Sequence, residues 1–151
     1  MDELFAQFLK ERRYLKNVTD RTLGYYDKCF RAFTSVADCT EPSGLTKRTP
    51  QTLIVGLRDR GVSAITCNSY ARGLNAFLKW LHEEGHVEAV LKIPFQRTER
   101  NVVKLLTEAQ LKILIAFKPK NRKQLRALTL ALLLLDTGVR IDEGLTLNVG
   151  G

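Results

Sequence analysis

Apolar residues recur at helical spacing over most of the chain. Leu4, Phe5, Phe8 and Leu9 return at three and four residues, which predicts a first helix over about residues 2 to 14. Thr19 reads as an N-cap with Asp20 in the first turn, and Leu23, Tyr26, Phe30, Phe33 and Ala37 mark the apolar face of a second helix. Its other face carries Arg21, Gly24, Lys28, Arg31 and Ser35. Residues 38 to 48, with Pro42, Ser43 and Gly44, read as a loop. Thr49-Pro50 then opens a third helix that runs to about Arg60, and Gly61 ends it as a left-handed cap.

Ser63 caps a fourth helix that reaches about Glu84 and stops at Gly85. Cys67, Tyr70, Leu74, Phe77, Leu78 and Leu81 fall on one side at 100° per residue, while Asn68, Arg72, Asn75 and Lys79 form a narrow polar stripe on the other. The run Pro94-Phe95-Gln96-Arg97-Thr98-Glu99-Arg100-Asn101 has no helical period and reads as extended linker. Thr107 and Gln110 fit a capping box that starts a fifth helix ending before Pro119. A sixth, from about Arg122 to Asp136, is apolar nearly all round from Leu128 onward, which predicts burial. The short fifth helix cannot cover all of Leu128 to Leu135, so self-association or loose packing of that region is expected. Thr137-Gly138 breaks the sixth helix, and a short seventh covers Ile141 to Leu145. No stretch alternates clearly enough to predict a strand, so the fold class is mainly α.

Composition narrows the function classes. At 44% apolar with 7 Phe and 4 Tyr, the 151 residues can build a packed core, which excludes a disordered tail. The longest apolar stretch, Ala127 to Leu135, is far short of the roughly 20 residues that cross a bilayer, so no membrane association is expected. Acids follow Met1 where a signal peptide needs basic residues, and Cys29, Cys39 and Cys67 form no CxxC pair; reduced thiols in a cytoplasm are the expectation.

The net charge of +8 is concentrated. Residues 96 to 126 carry nine basic and two acidic side chains, or +7, whereas residues 1 to 95 carry +3 and residues 127 to 151 carry −2. A basic stretch between two folded parts suits a polyanion, because Lys and Arg there neutralise phosphates and release counterions. A solvated surface charge run is the competing explanation.

The only strong motif follows the leucine helix: Thr137-Gly138-Val139-Arg140-Ile141-Asp142-Glu143-Gly144-Leu145-Thr146-Leu147. It resembles the stretch Thr-Gly-Leu-Arg-x-x-Glu-Leu-x-x-Leu around the first catalytic arginine of the tyrosine recombinases, the phage-integrase family. Gly144 departs from that pattern, which has a larger apolar residue after the acid, and looser packing is expected there. Thr19 to Phe33 resembles the family's Thr-Leu-x-x-Tyr helix. Gly61 to Asn68, continued through Phe77-Leu78-Lys79-Trp80-Leu81, is similar to its Gly-Leu-Ser-x-x-Thr-x-Asn helix ending in Phe-x-x-Trp-Leu, and Leu106-Thr107-Glu108-Ala109-Gln110-Leu111 resembles the opening of its catalytic domain.

The resemblance implies a four-helix SAM-like core-binding bundle over residues 1–90, a basic linker over 91–105, and the first helices of a truncated catalytic domain over 106–151. It implies a site-specific recombinase that breaks and rejoins DNA strands through a 3′-phosphotyrosyl intermediate, without cofactor or metal. Its partners would be double-stranded DNA and further recombinase protomers, four on DNA in the full enzyme, in a cytoplasm of bacterial, phage or mobile-element origin. Arg140 would stabilise charge on the phosphate and Glu143 would hold its guanidinium. Arg21, Lys28 and Arg31, and Asn68, Arg72, Asn75 and Lys79, would face DNA, the Asn and Arg side chains reading base edges. Arg97, Arg100 and Lys104 would contact phosphates.

Neither His82 nor His86 begins the family's His-x-x-Arg motif, and Tyr14, Tyr25, Tyr26 and Tyr70 all precede the linker, where no nucleophile is expected. The 151 residues alone are therefore expected to bind DNA without cutting it. The alternative is a truncated, non-catalytic helical DNA-binding protein that occupies or regulates recombination sites.

Overall fold

A computed structural model describes residues 1–37, 39–99 and 103–147. Its elements are α1 (Asp2–Tyr14), α2 (Asp20–Thr34), a 3-10 turn (Pro42–Gly44), α3 (Thr49–Asp59), α4 (Ala64–Glu83), α5 (Glu108–Ala116), α6 (Arg122–Thr137) and α7 (Ile141–Thr146). The fold is all-α, with no strand among the described residues. The chain divides into two compact units, residues 1–100 and 101–151.

Local chemistry sets the helix ends in the first unit. The Thr19 hydroxyl accepts from the Thr22 amide at 3.3 Å and Ser63 accepts from Thr66 at 3.2 Å, satisfying amides that a first turn leaves without partners. Gly61 and Gly85 take the left-handed conformation, φ 79° and 76°, and end α3 and α4. Asp2 and Glu3 open α1 while Arg12 and Arg13 close it, each pair complementing the helix dipole.

An aromatic cluster fills the core of this unit. Phe5 of α1 stacks on Phe30 of α2 at 4.0 Å, and Phe77 of α4 meets both edge-on at 5.2 and 5.7 Å. Phe8 and Trp80 join them, and α3 adds Leu53 and Leu57. The Trp80 indole N–H donates to Glu11 Oε2 at 2.7 Å, so the buried ring's one polar group is satisfied. Full burial of each such side chain stabilises by about 1.5–3 kcal/mol before entropy is counted. α2 packs most extensively on α4, and Gly73 makes that possible: a Cβ there would lie 2.5 Å from Cys29 Sγ.

Residues 91–96 are not free linker. They have no secondary structure, yet Ile93 is 2% exposed within the core and Leu91 packs against it. The first unit extends through at least Gln96, because an apolar side chain and two backbone clasps described below hold that segment.

The second unit is different. Thr107 and Gln110 form the expected capping box, Asn121 caps α6 by accepting from Gln124 at 3.0 Å, and Gly138 ends α6 at φ 67°. None of its described residues is buried, which corrects the expected burial of α6. Leu128, Leu130, Leu133 and Leu134 are half-buried, while Leu125, Leu132 and Leu135 are exposed. The physical reason is coverage, since the nine-residue α5 and six-residue α7 shield only part of a sixteen-residue helix. α7 lies close on α6 at Gly144, where a Cβ would come within 3.3 Å of Leu130 and 3.4 Å of Leu134.

Candidate nucleic-acid interface

On α2, Arg21, Lys28 and Arg31 are all exposed, and their spacing of seven and three residues puts them on one side of the helix. Arg31 is ion-paired to Asp27 one turn earlier, and Arg13 of α1 to Asp20. Exposed pairs of this kind contribute little to stability, about 0–1 kcal/mol, and a phosphate can displace them at small cost.

Two residues of the polar stripe of α4 are engaged within the chain. The Asn68 side-chain amide donates to the Gln96 carbonyl at 2.8 Å and its oxygen accepts from the Gln96 amide at 2.7 Å. Asn75 does the same to Ile93, donating at 3.0 Å and accepting at 2.7 Å. Between them the Arg72 guanidinium lies 5.7 Å from the centre of the Phe95 ring. The amide groups of Asn68 and Asn75, expected to read base edges, thus pair here with the chain's own backbone. Arg72 remains exposed beside Phe95, and Lys79 is exposed and paired with Glu83 at 3.2 Å.

Beyond the clasp the chain carries its basic side chains outward. Arg97 is exposed one residue after Gln96, and Lys104 is exposed in the segment before α5. Arg100 lies outside the described residues.

Arg140 and Glu143 are brought together. Arg140 occupies the N-cap position of α7, just after the left-handed Gly138 turn, and Glu143 lies in the helix's first turn. One carboxylate oxygen accepts from the Arg140 backbone amide at 2.9 Å and the other from its guanidinium at 3.3 Å. The Arg140 side chain is 87% exposed, so most of its planar donor fork is open to an anion while Glu143 fixes its base.

Other sequence candidates for chemistry resolve into packing. His82 Nδ1 lies 3.1 Å from the Val87 carbonyl and is half-buried; His86 is exposed and packs on Trp80. Tyr25 donates from its hydroxyl to the Ser69 carbonyl, and burial raises its pKa. Burial likewise pushes the Cys29 thiol up to about 11, the opposite of what an activated nucleophile needs. No described group of three His, Cys, Asp or Glu side chains is arranged to hold a metal, and no described helix is long and apolar enough to cross a membrane.

Phe95, beside the Arg72 guanidinium, is a contact residue that the sequence pattern did not single out. Its signal was an aromatic residue after Pro94 in an otherwise polar, basic run. No family model, curated protein or solved structure matches this chain.

Proposed function

We propose that the protein is the DNA-binding N-terminal part of a site-specific tyrosine recombinase. In this reading α1 to α4 form a SAM-like core-binding bundle and α5 to α7 open the catalytic domain. The observation that carries it is the arrangement at Arg140: a left-handed glycine ends an apolar helix, the arginine begins the next, and the acid three residues on holds it through both backbone and side chain. Four sequence segments in the family's order, with the basic run starting between the second and the third, support the same reading.

The mechanism assigned to Arg140 follows from charge. As a phosphodiester is attacked, negative charge grows on its non-bridging oxygens, and a guanidinium held in place offers paired donors to them. Glu143 keeps it oriented at no further reorganisation cost. Attack itself requires a tyrosine placed after the linker and the cooperation of other protomers on duplex DNA, and these 151 residues contain no such tyrosine. Binding without cleavage is the expected behaviour of this chain.

Selection of bound duplexes from a random pool, followed by a suicide substrate built on the recovered site, tests this. Recovery of one defined site with no covalent adduct is expected. Recovery of random sequence only, or an adduct formed by this chain alone, would overturn the reading.

A further inference from the structure

The two asparagine clasps have a geometry that ordinary surface hydrogen bonds lack. Each satisfies both the N–H and the C=O of one residue, as a neighbouring β-strand would, and each does so with a single side chain held on a helix. Asn68, Arg72 and Asn75 stand at positions i, i+4 and i+7, on one face of α4. Their partners run the other way along the chain, Gln96, Phe95 and Ile93, so the segment lies antiparallel to the helix and is fastened at both ends. Ile93 adds a third anchor because its side chain is in the core. The stretch of the chain with +7 net charge runs from Gln96, and its first basic residue, Arg97, is one residue past the last clasp.

We propose that Asn68 and Asn75 are positioning residues that fasten residues 93–96 along α4, so that the basic run beginning at Arg97 leaves the bundle from a fixed point and meets DNA already oriented. The inference rests on the DNA-binding reading above. Neither asparagine touches DNA in this account. Their contribution to affinity comes from ordering the segment before binding, which lowers the conformational entropy lost on association. Arg72 lies beside Phe95 in the middle of the strap.

This separates three roles that a fall in affinity alone would confuse. Removing a side chain that neutralises a phosphate lowers the salt slope. Removing one that reads a base weakens cognate DNA only. Removing a clasp weakens binding on every sequence with the slope unchanged, since the number of neutralised phosphates stays the same.

The test uses the full chain and the variants Asn68→Ala and Asn68→Ala/Asn75→Ala, with hydrogen exchange and duplex binding measured across salt concentrations. Asn68→Ala is the safer substitution for folding, because Ile93 and the Asn75 clasp remain; protection of the α4 amides around Phe77 reports that the bundle persists. The expected result is fast exchange at the Gln96 amide in the single variant and at both Gln96 and Ile93 in the double. Affinity is expected to fall by roughly three- to tenfold for the double variant on cognate and random duplex alike, with an unchanged salt slope. Unchanged exchange at Gln96, unchanged affinity, or a loss confined to cognate DNA would overturn the proposal. If the unsubstituted chain binds no duplex at all, the DNA-binding reading falls and takes this inference with it, a result distinct from binding that ignores the clasp.

Discussion

Trp80 in α4 is 4% exposed within a cluster of aromatic rings, whereas Leu135 in α6, on an equally apolar stretch of helix, is 45% exposed. The two units are both helical and both well capped, so local propensity does not separate them. Partners do. α4 has α1, α2, α3 and residues 91–96 around it, while among the described residues of its own unit α6 has the short α5 and α7, which leave an open groove of about 770 Å³ lined by Leu111, Ile115, Leu132, Leu133 and Leu135. Caps fix where a helix starts and stops; the stability of the helix comes from what covers its apolar face.

The contrast predicts its largest effect for core truncation. Phe77→Ala should destabilise the first unit by about 3–5 kcal/mol, because it removes a ring that touches Phe5, Phe8, Phe30 and Trp80. Leu132→Ala should cost less than about 1 kcal/mol, since that side chain is already 36% exposed in a region that can relax. Urea unfolding followed by Trp80 fluorescence reads the first, and helix content by circular dichroism reads the second. Similar losses at both positions would break the comparison.

An intermediate effect is expected in alkali, and only in the first unit. Burial pushes Cys29 up from 9.0 to about 11 and raises Tyr25 above 10.0, so both stay protonated in the folded chain while the unfolded chain ionises. The unfolded state then binds fewer protons than the native one, and stability falls as pH rises from about 9 through about 11; below about 9 the contribution is fully present. The urea midpoint should drop across that window, and less steeply in Cys29→Ala.

The smallest effect distinguishes two glycines. Gly73→Ala must displace Cys29 Sγ, 2.5 Å from the new Cβ, and overpacking at ~1–3 kcal/mol exceeds the helix-propensity gain of about 1 kcal/mol. Gly144→Ala meets the methyl ends of Leu130, Leu134 and Val139 at 3.3, 3.4 and 3.6 Å, which can shift, so its net change should be near zero. Thermal unfolding of the two variants checks this.

These elements also show what the sequence could and could not reveal. Thr19, Ser63, Thr107 and Gly138 announce helix ends through bonds that span only three or four residues, and all four helix boundaries follow from them. Arg140 with Glu143 is equally local. The roles of Asn68 and Asn75 were hidden because their partners lie 28 and 18 residues away, and a polar stripe on a helix looks the same whether water, DNA or the chain's own backbone satisfies it. The exposure of α6 was hidden for a related reason: apolarity states a need for cover, and only tertiary structure states whether cover exists.

Duplex affinity of the 151-residue chain as a function of salt is the most direct measurement of whether the basic segment engages DNA phosphates. The account predicts a linear fall of log affinity with log salt, roughly tenfold or more between about 50 and about 200 mM, with Arg97→Ala lowering the slope by about one phosphate. An affinity independent of salt, or no duplex binding at the lower concentration, would contradict it.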